Sequence, residues 1–425
     1  MAPKPSPDKE EPFEFFGPYL GPIGISVGLP AVCYLLLGLC NEDGCLRVRP
    51  SMWAPGLSRM SLFSWEAVCV VLAWSAFQIA LHLALPGQRA QGVELRTGGR
   101  LTYKLTGIWN FWASIAVLAI GWFSGLLPLS WAYHHYAELL TASLFLALSV
   151  SLLVYASALM RRDSMLPAAA ARPEYRLYTW FLGYELNPRV GAFDLKQFFE
   201  QVPGLVGWVA LDLACAAAQW EERGRLTPAM AAVCAFHTLY VWDSLHHEPA
   251  ILTTMDITTD GFGFMLAFAD FAWVPFTYSL QARLAVHWVG GVGWLGAALV
   301  AGLNMWGYLV FRRSNSIKDG FRKDPQNPAY SSLRLLPTKR GTKLIVSGWW
   351  GMCRHPNYLG DWLMGLAWCL PLGTQSIVPY FYAIYFAVLL LHRAMRDDHA
   401  CQRKYGDDWD VYCRLVRWKI VPLVY

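Results

Sequence analysis

Charge is scarce in this chain. Of its 425 residues, 15% are Asp, Glu, Lys or Arg, against about 25% in a soluble protein. A surface so poor in charge does not suit a protein bathed in water on all sides. The cysteines lack pattern: ten are present, with no C-x-x-C pair and no zinc-like spacing. Cys69, Cys215 and Cys234 lie inside apolar runs, where the thiol acts as a small hydrophobe. Neither a disulfide framework nor a metal site is expected. A large charge excess is missing too. The net +5 is too small and too dispersed for nucleic acid. The start, MAPKPSPDKEEPFEFFG, has no basic stretch leading into a short apolar core, so it reads as a loose polar tail over residues 1–17 and not as a signal peptide.

What remains is oil. Hydrophobic residues make up 55% of the chain, with 21 tryptophans and 20 tyrosines, side chains that collect where lipid headgroups meet water. A membrane span needs about 20 mostly apolar residues. Ten candidates stand at 18–40, 62–86, 107–129, 135–160, 203–220, 226–244, 262–284, 288–311, 357–373 and 376–394. The expected fold is therefore an all-α, polytopic integral membrane protein of about ten transmembrane helices. Residues 18–311 form the membrane domain with spans 1–8, and residues 312–425 carry spans 9–10 with polar loops and a C-terminal helix. FRRSNSIKDGFRKDPQNPAYSSLRLLPTKRGTK, after the eighth span, holds nine Lys or Arg against two acids. Basic loops face the cytoplasm, and ten spans put this loop, those after the second and fourth spans and both termini on that side.

One segment breaks the charge rule. DSLHHEPAILTTMDITTDGFGFM has no Lys or Arg but carries Asp243, His246, His247, Glu248, Asp256 and Asp260. It leads into an aromatic span containing Asp270, which suggests a cavity wall; an ordinary solvated loop capped by Thr253 and Asp256 is the plainer alternative. Just before it, His237, Tyr240 and Asp243 share roughly one helical face. Ionisable groups inside spans are costly and usually functional, so this face offers a proton donor or, more blandly, an interhelical hydrogen bond. GVGWLG, Gly291–Gly296, matches a dinucleotide pattern but sits in an apolar run with no preceding strand, so close packing is the better reading.

The C-terminal third is the most informative. Lys318, Arg322 and Lys323 recur at helical spacing in the basic loop. GWWGMCRHPNYLGDW sets Arg354, His355 and Asn357 before a span, and HRAMRDDHACQRKYGDDWDVYCRL adds Arg393, Asp397, Tyr405, Trp409 and Tyr412. An amphipathic helix on anionic lipid explains the charges but not the interleaved aromatics. A large phosphate-bearing ligand explains both: arginines fork onto phosphate, and rings stack on flat heterocycles. Pro356 breaks the backbone, which is tolerated at membrane depth where it lines a cavity. The residues thus point to a nucleotide-like cofactor entering a cytosol-facing pocket.

These stretches, with GYELNPRVGAFDLKQFFEQVPGLVGW, LYVWDSLHHEPAILTTMDITTDGFGFMLAFADFAWVPFTYSLQA, NSIKDGFRKDP, LIVSGWWGMCRHPNYLGDW, VPYFYAIYF and HRAMRDDHACQRKYGDDWDVYC, occur in an order that resembles the delta-14 sterol reductase family, which includes the reductase domain of the lamin B receptor. The resemblance runs from about residue 175 to the end. It implies a ten-helix membrane enzyme that uses NADPH to reduce the C14–C15 double bond of a sterol intermediate. By motif it places cofactor contacts at Lys318, Arg322, Ile345, Trp350, His355, Asn357 and Tyr358, and on the tail helix at Arg396, Asp397, Cys401, Gln402, Arg403, Lys404, Tyr405 and Tyr412. VWDSLHHE stands where that branch often reads VGDALWHE, so His246 replaces a tryptophan and Trp242 a glycine, changing the pocket outline. A conjugated 8,14-diene would be protonated at C15 and take hydride at C14. Tyr240, helped by Asp243 or Glu248, is the first choice of acid, and Asp397 the second. The basic cluster suits a 2′-phosphate, hence NADPH over NADH.

The rivals are delta-7 or C24(28) sterol reductases, which share the general pattern, and S-adenosylmethionine-dependent membrane methyltransferases, which share R-H-P-x-Y-x-G. A non-enzymatic sterol-binding receptor is a third. The expected partners are sterol and membrane lipid, with no obligatory protein partner. The expected site is the endoplasmic reticulum membrane in a eukaryote or the inner membrane in a bacterium.

Overall fold

Each of the ten apolar segments contains some helix in the computed structural model, which describes residues 16–39, 60–288 and 290–425. Most of the expected polar tail lies outside the described residues, as does Cys40. The long elements are α1 Leu20–Leu39, α2 Trp65–Ala84, α3 Gly107–Phe123, α4 Tyr136–Met160, α5 Pro203–Arg223, α6 Pro228–His246, α7 Trp294–Lys323, α8 Pro356–Cys369, α9 Phe381–Tyr405 and α10 Asp407–Leu415. Among the described residues, six helical stretches are long and apolar enough to cross a membrane: α1, α2, α4, Leu195–Arg223, α7 and Val378–Tyr405. The chain is a mostly helical membrane protein. Among the described residues, three antiparallel two-stranded ribbons interrupt the helices: β1 Gln88–Glu94 with β2 Arg100–Leu105, β3 Arg189–Val190 with β4 Phe193–Asp194, and β5 Leu335–Pro337 with β6 Lys343–Ile345.

The chain divides into two compact units, residues 1–225 with 237–286, and residues 226–236 with 287–425. In the first, polar side chains pin helices that are otherwise oily. Gln78 of α2 donates to Ser114 Oγ (2.8 Å), and Asn110 Nδ2 donates back to the Gln78 backbone (2.9 Å) and side chain (3.0 Å). Such interhelical hydrogen bonds serve as glue in spans. Tyr136 meets Ser279 at 2.7 Å, and Arg283 lies over the Tyr133 and Tyr136 rings. The seventh apolar segment is broken: Phe264–Phe268 is α-helical, Ala269–Trp273 is a π turn, and Val274–Tyr278 carries Pro275 before Leu280–Ala285 resumes. Gly183, at φ 96°, faces Gly261 and Gly263 so closely that a Cβ on Gly183 would lie 2.4 Å from the opposing backbone.

In the second unit α7 and α8 cross at glycines. A Cβ on Gly360 would stand 2.6 Å from the Gly307 carbonyl, so small residues set the approach. Gly291 belongs to a turn ahead of α7, where a Cβ would press on Ala229 at 3.0 Å and the Pro371 carbonyl at 3.1 Å. GVGWLG reads in sequence as helix packing within a span; Gly291 and Gly293 instead precede the helix, and Gly293 faces open space. α9 runs unbroken from an apolar start through Arg393, Asp397 and Cys401 to Tyr405. The C-terminal segment returns, with Arg354 and His355 N–H groups donating to the carbonyls of Trp418 (2.9 Å) and Lys419 (2.8 Å).

Candidate functional site

The candidate cofactor pocket is built from three helices of the second unit. Lys318 projects from α7 with Nζ 4.5 Å from the centre of the Trp350 indole. That ring is fixed because its Nε1 donates to the Ser314 carbonyl one turn back (2.9 Å) and because Phe321 and Ile345 bury it. Ile345 ends β6, whose pairing with β5 brings it there. Arg322 is exposed within electrostatic reach of Lys318. Lys323 is spent on Asp319 at 2.7 Å.

α8 starts at Pro356, which suits a first helical turn because that position needs no N–H partner. The residues around it lie at this start. The His355 imidazole and Tyr358 phenol stack almost parallel, centroids 4.7 Å apart. Tyr358 OH donates to Asp397 Oδ2 at 2.7 Å, and His355 Nδ1 is 3.9 Å from the same oxygen. Burial pulls the His355 imidazole down to about 4, so it is neutral at pH 7. Asn357 Oδ1, His355 Nε2 and Arg354 Nε are buried and have no hydrogen-bond partner. Buried polar atoms ordinarily find partners; a ligand presenting hydroxyl, amide and phosphate groups would supply them.

Asp397 and Cys401 are one turn apart on α9, both within electrostatic reach of Lys318. Cys401 and Tyr405 then pack on a second cluster, Trp409, Tyr412 and Val416, with Leu336, Leu344 and Val346 of the β5–β6 region. Tyr405, Trp409 and Tyr412 stack in sequence, at 6.3 and 4.8 Å, and burial pushes the Tyr412 phenol above its ordinary range. Lys318, Ile345, Trp350, His355, Asn357, Tyr358, Asp397, Cys401, Tyr405 and Tyr412 therefore share one region. Arg396 is half-buried beside Asp397, while Gln402, Arg403 and Lys404 are exposed.

Arg354 differs from the sequence expectation. Its guanidinium is committed within the protein, to Asp398 (3.0 Å), Cys413 (3.1 Å) and the Arg417 carbonyl (3.4 Å), and Lys419 shares Asp398 (2.9 Å). Sequence reading missed Asp398, Lys419 and the returning C-terminal segment. The signal available was an acid next to Asp397 and a lone lysine in the last apolar residues.

The acid candidates lie in the first unit. Tyr240 is half-buried with its ring 6.0 Å from Trp208. Asp243 is buried, Oδ1 3.4 Å from His247 Nδ1. Glu248 is buried with both oxygens engaged, accepting from Gly107 N–H (2.8 Å) and Gln197 Nε2 (2.9 Å). It caps the start of α3, where a carboxylate complements the helix N-terminus, and burial raises its carboxyl to about 7. His237 is fully buried against Asp212 at 2.9 Å, the interhelical bond that the plainer reading anticipated.

A family profile described as "Ergosterol biosynthesis ERG4/ERG24 family" matches residues 9–425. The chain is 41% identical over 417 residues to a delta(14)-sterol reductase of Schizosaccharomyces pombe, covering 97% of each. It is 42% identical over 425 residues to one of Mus musculus, covering 98% of each. It is 40% identical over 425 residues to the delta(14)-sterol reductase LBR of Gallus gallus, covering 99% of this chain and 65% of that protein.

Proposed function

The chain belongs to the ergosterol biosynthesis ERG4/ERG24 family, and on that premise we propose that it is a delta(14)-sterol reductase, a membrane oxidoreductase of sterol biosynthesis acting on the C14–C15 double bond. The relatives from Schizosaccharomyces pombe, Mus musculus and Gallus gallus all bear that name. The delta-7, C24(28) and methyltransferase alternatives are accordingly not favoured. The finer parts of the proposal are NADPH as the reductant, ten spans, and the endoplasmic reticulum membrane for a eukaryotic chain.

The observation that supports NADPH is the combination at the start of α8. Unsatisfied Asn357 Oδ1 and His355 Nε2 lie beside the Tyr358–Asp397 hydrogen bond, in the region that also holds Lys318. The donor set fits the group: Lys318 and Arg322 would hold phosphate, Asn357 would take a ribose or amide proton, and Trp350 or the Tyr405–Trp409–Tyr412 stack offers flat faces. When bound, a reduced nicotinamide supplies the hydride equivalent. Tyr358 and His355 hold Asp397 in one orientation, so that the pocket is preorganised before any ligand enters.

The chain's own chemistry is then proton supply. A conjugated 8,14-diene accepts a proton at C15 and leaves an allylic, tertiary cation at C14. The acid must be shielded from bulk water. Tyr240 carries a phenol on the same helical face as buried Asp243, and it is the proposed donor, reprotonated through that carboxyl. Glu248 keeps this neighbourhood in shape by joining α3 to Gln197.

The test is turnover. Purified protein is incubated with NADPH and an 8,14-diene sterol, and product is identified by mass spectrometry and retention against authentic 8-ene. Saturation at C14–C15 with loss of NADPH absorbance is expected. Saturation only at C7 or C24(28), or transfer of labelled methyl from S-adenosylmethionine, would overturn the reading.

A further inference from the structure

The first unit contains a cavity of about 610 Å³ that the proposed reaction does not use. Its wall is contributed by α2, the end of α3 and the turn after it, α4, α5 and the broken segment 264–285, with Trp74, Leu118, Leu211, Phe271 and Phe276 among the lining side chains. Tyr240, Asp243 and Glu248 are not part of that lining. The size falls in the range of about 300–1,000 Å³ that small-molecule sites occupy.

Two residues with carboxyl groups line this apolar space, Glu66 on the exposed side of α2 and Asp270 on the broken segment. Asp270 lines the cavity, is 5% exposed, and its Oδ2 has no hydrogen-bond partner. Two polar groups of the lining are already spent: Trp74 Nε1 donates to the Pro203 carbonyl (3.1 Å) and Ser75 Oγ to the Val71 carbonyl (3.0 Å). The backbone that carries Asp270 is specialised. It is the π turn Ala269–Trp273, a form concentrated at functional sites. The helix opposite approaches through Gly204, where a Cβ would stand 2.2 Å from the Asp270 carbonyl. A leucine at position 270 would satisfy packing without leaving a buried polar atom unpaired. The aspartate is therefore best explained by something that enters and pairs with it. That something is apolar over most of its surface and carries one hydroxyl, since a carboxyl group can both donate to and accept from a hydroxyl when protonated.

We propose that this cavity binds one 3-hydroxysterol, rings against Trp74, Phe271 and Phe276 and hydroxyl on Asp270, at a position separate from the residues proposed for proton transfer. The choice of a sterol rests on the reductase reading; the presence of a hydroxylated apolar ligand rests on the cavity and Asp270 alone. The site would keep a sterol on the enzyme without presenting it to Tyr240.

The experiment uses the full chain in nanodiscs with a diazirine 3-hydroxysterol, its 3-methyl ether and a diazirine phosphatidylcholine, with labelled peptides mapped by mass spectrometry. Saturable hydroxysterol labelling within residues 66–75 and 203–211 is expected, competed by unlabelled hydroxysterol. It should fall roughly tenfold or more with the ether and with Asp270→Leu, and be largely retained with Asp270→Asn. Equal labelling by hydroxysterol and ether, labelling of these peptides only by the phospholipid probe, or labelling confined to other segments would overturn it. The ether comparison uses unaltered protein, so poor folding of a variant does not blunt the test. Diene reduction is measured in the same nanodiscs: labelling without reduction would sink the reductase reading and leave the site, and reduction without labelling would do the reverse.

Discussion

Glu248→Gln removes one ionisation from a buried knot and gives a worked test of how that knot behaves. The folded carboxyl titrates at about 7 instead of its ordinary 4.5, chiefly because it is buried, against the bonds from Gly107 and Gln197 that favour the charged form. Between those values the folded chain holds a proton that the unfolded chain has released. The stabilising contribution is therefore complete below pH 4.5 and is lost as pH rises through about 7. At about 1.4 kcal/mol for each pH unit of displacement, the change amounts to something on the order of 3 kcal/mol. Glutamine cannot ionise. It also loses one acceptor, which lowers stability by a constant of about 1–3 kcal/mol at all pH values. The difference in stability between variant and parent should thus move in favour of the variant by on the order of 3 kcal/mol across that window. Other titrating groups cancel in the difference. His355 is one of them; burial displaces it downward to about 4, so its contribution runs the opposite way, gained as pH rises toward its ordinary value. The assay is tryptophan-fluorescence unfolding of detergent-solubilised protein at matched pH values. Parallel profiles for parent and variant would refute the argument and leave Glu248 an ordinary surface-like carboxylate.

Three further outcomes are expected. Tyr240→Phe should reduce reductase turnover by at least roughly a hundredfold, the scale of general-acid contributions, while NADPH affinity by calorimetry stays unchanged; near-parent turnover would remove Tyr240 from proton supply. Lys318→Met should weaken NADPH binding roughly tenfold or more, and Arg322→Met should weaken NADPH more than NADH; equal losses for the two cofactors would place Arg322 away from the 2′-phosphate. Tyr358→Phe deletes the bond to Asp397 but keeps the ring that stacks on His355, so cofactor affinity should drop by about 1.5–3 kcal/mol equivalents with little change in unfolding temperature; unchanged affinity would mean that Asp397 needs no orientation.

The sequence was most legible where periodicity and chemistry agree. Six of the apolar runs became helices long and apolar enough to cross a membrane, among the described residues, since hydrophobic length is a strong local signal. The start of α8 was legible because Pro356 sits among Arg354, His355 and Asn357. The structure makes this proline the first residue of a helix, a position that needs no N–H partner, so the polar residues cluster at a helix start and not at a break within one. The break in the segment 264–285 was not legible, because Pro275 alone does not foretell a π turn one turn earlier at Ala269–Trp273. That register is set by packing of Gly204 on the Asp270 carbonyl, a contact between residues 66 positions apart. The paired ribbons β1–β2 and β5–β6 were likewise hidden inside basic loops, where charge masks alternation.

Arg354 shows why residue type alone misassigns a role. An arginine beside a proline-broken helix reads as a phosphate fork, yet here both terminal nitrogens are used within the protein. Its main partner, Asp398, also binds Lys419, and the backbone of residues 354 and 355 pairs with residues 418 and 419. The arginine thus fastens the C-terminal segment to α9 and to the start of α8. This closure keeps Asp397, the neighbour of Asp398, at hydrogen-bond distance from Tyr358. With Arg354 occupied, the charge available for phosphate shifts to Lys318 and Arg322 on α7. Lys318 rests on an indole and Arg322 reaches solvent. Removing the Asp398 carboxylate would strand a partly buried guanidinium and so damage the pocket through its frame, whereas removing Lys318 would damage binding and spare the frame. The two defects separate in one comparison of unfolding temperature with cofactor affinity.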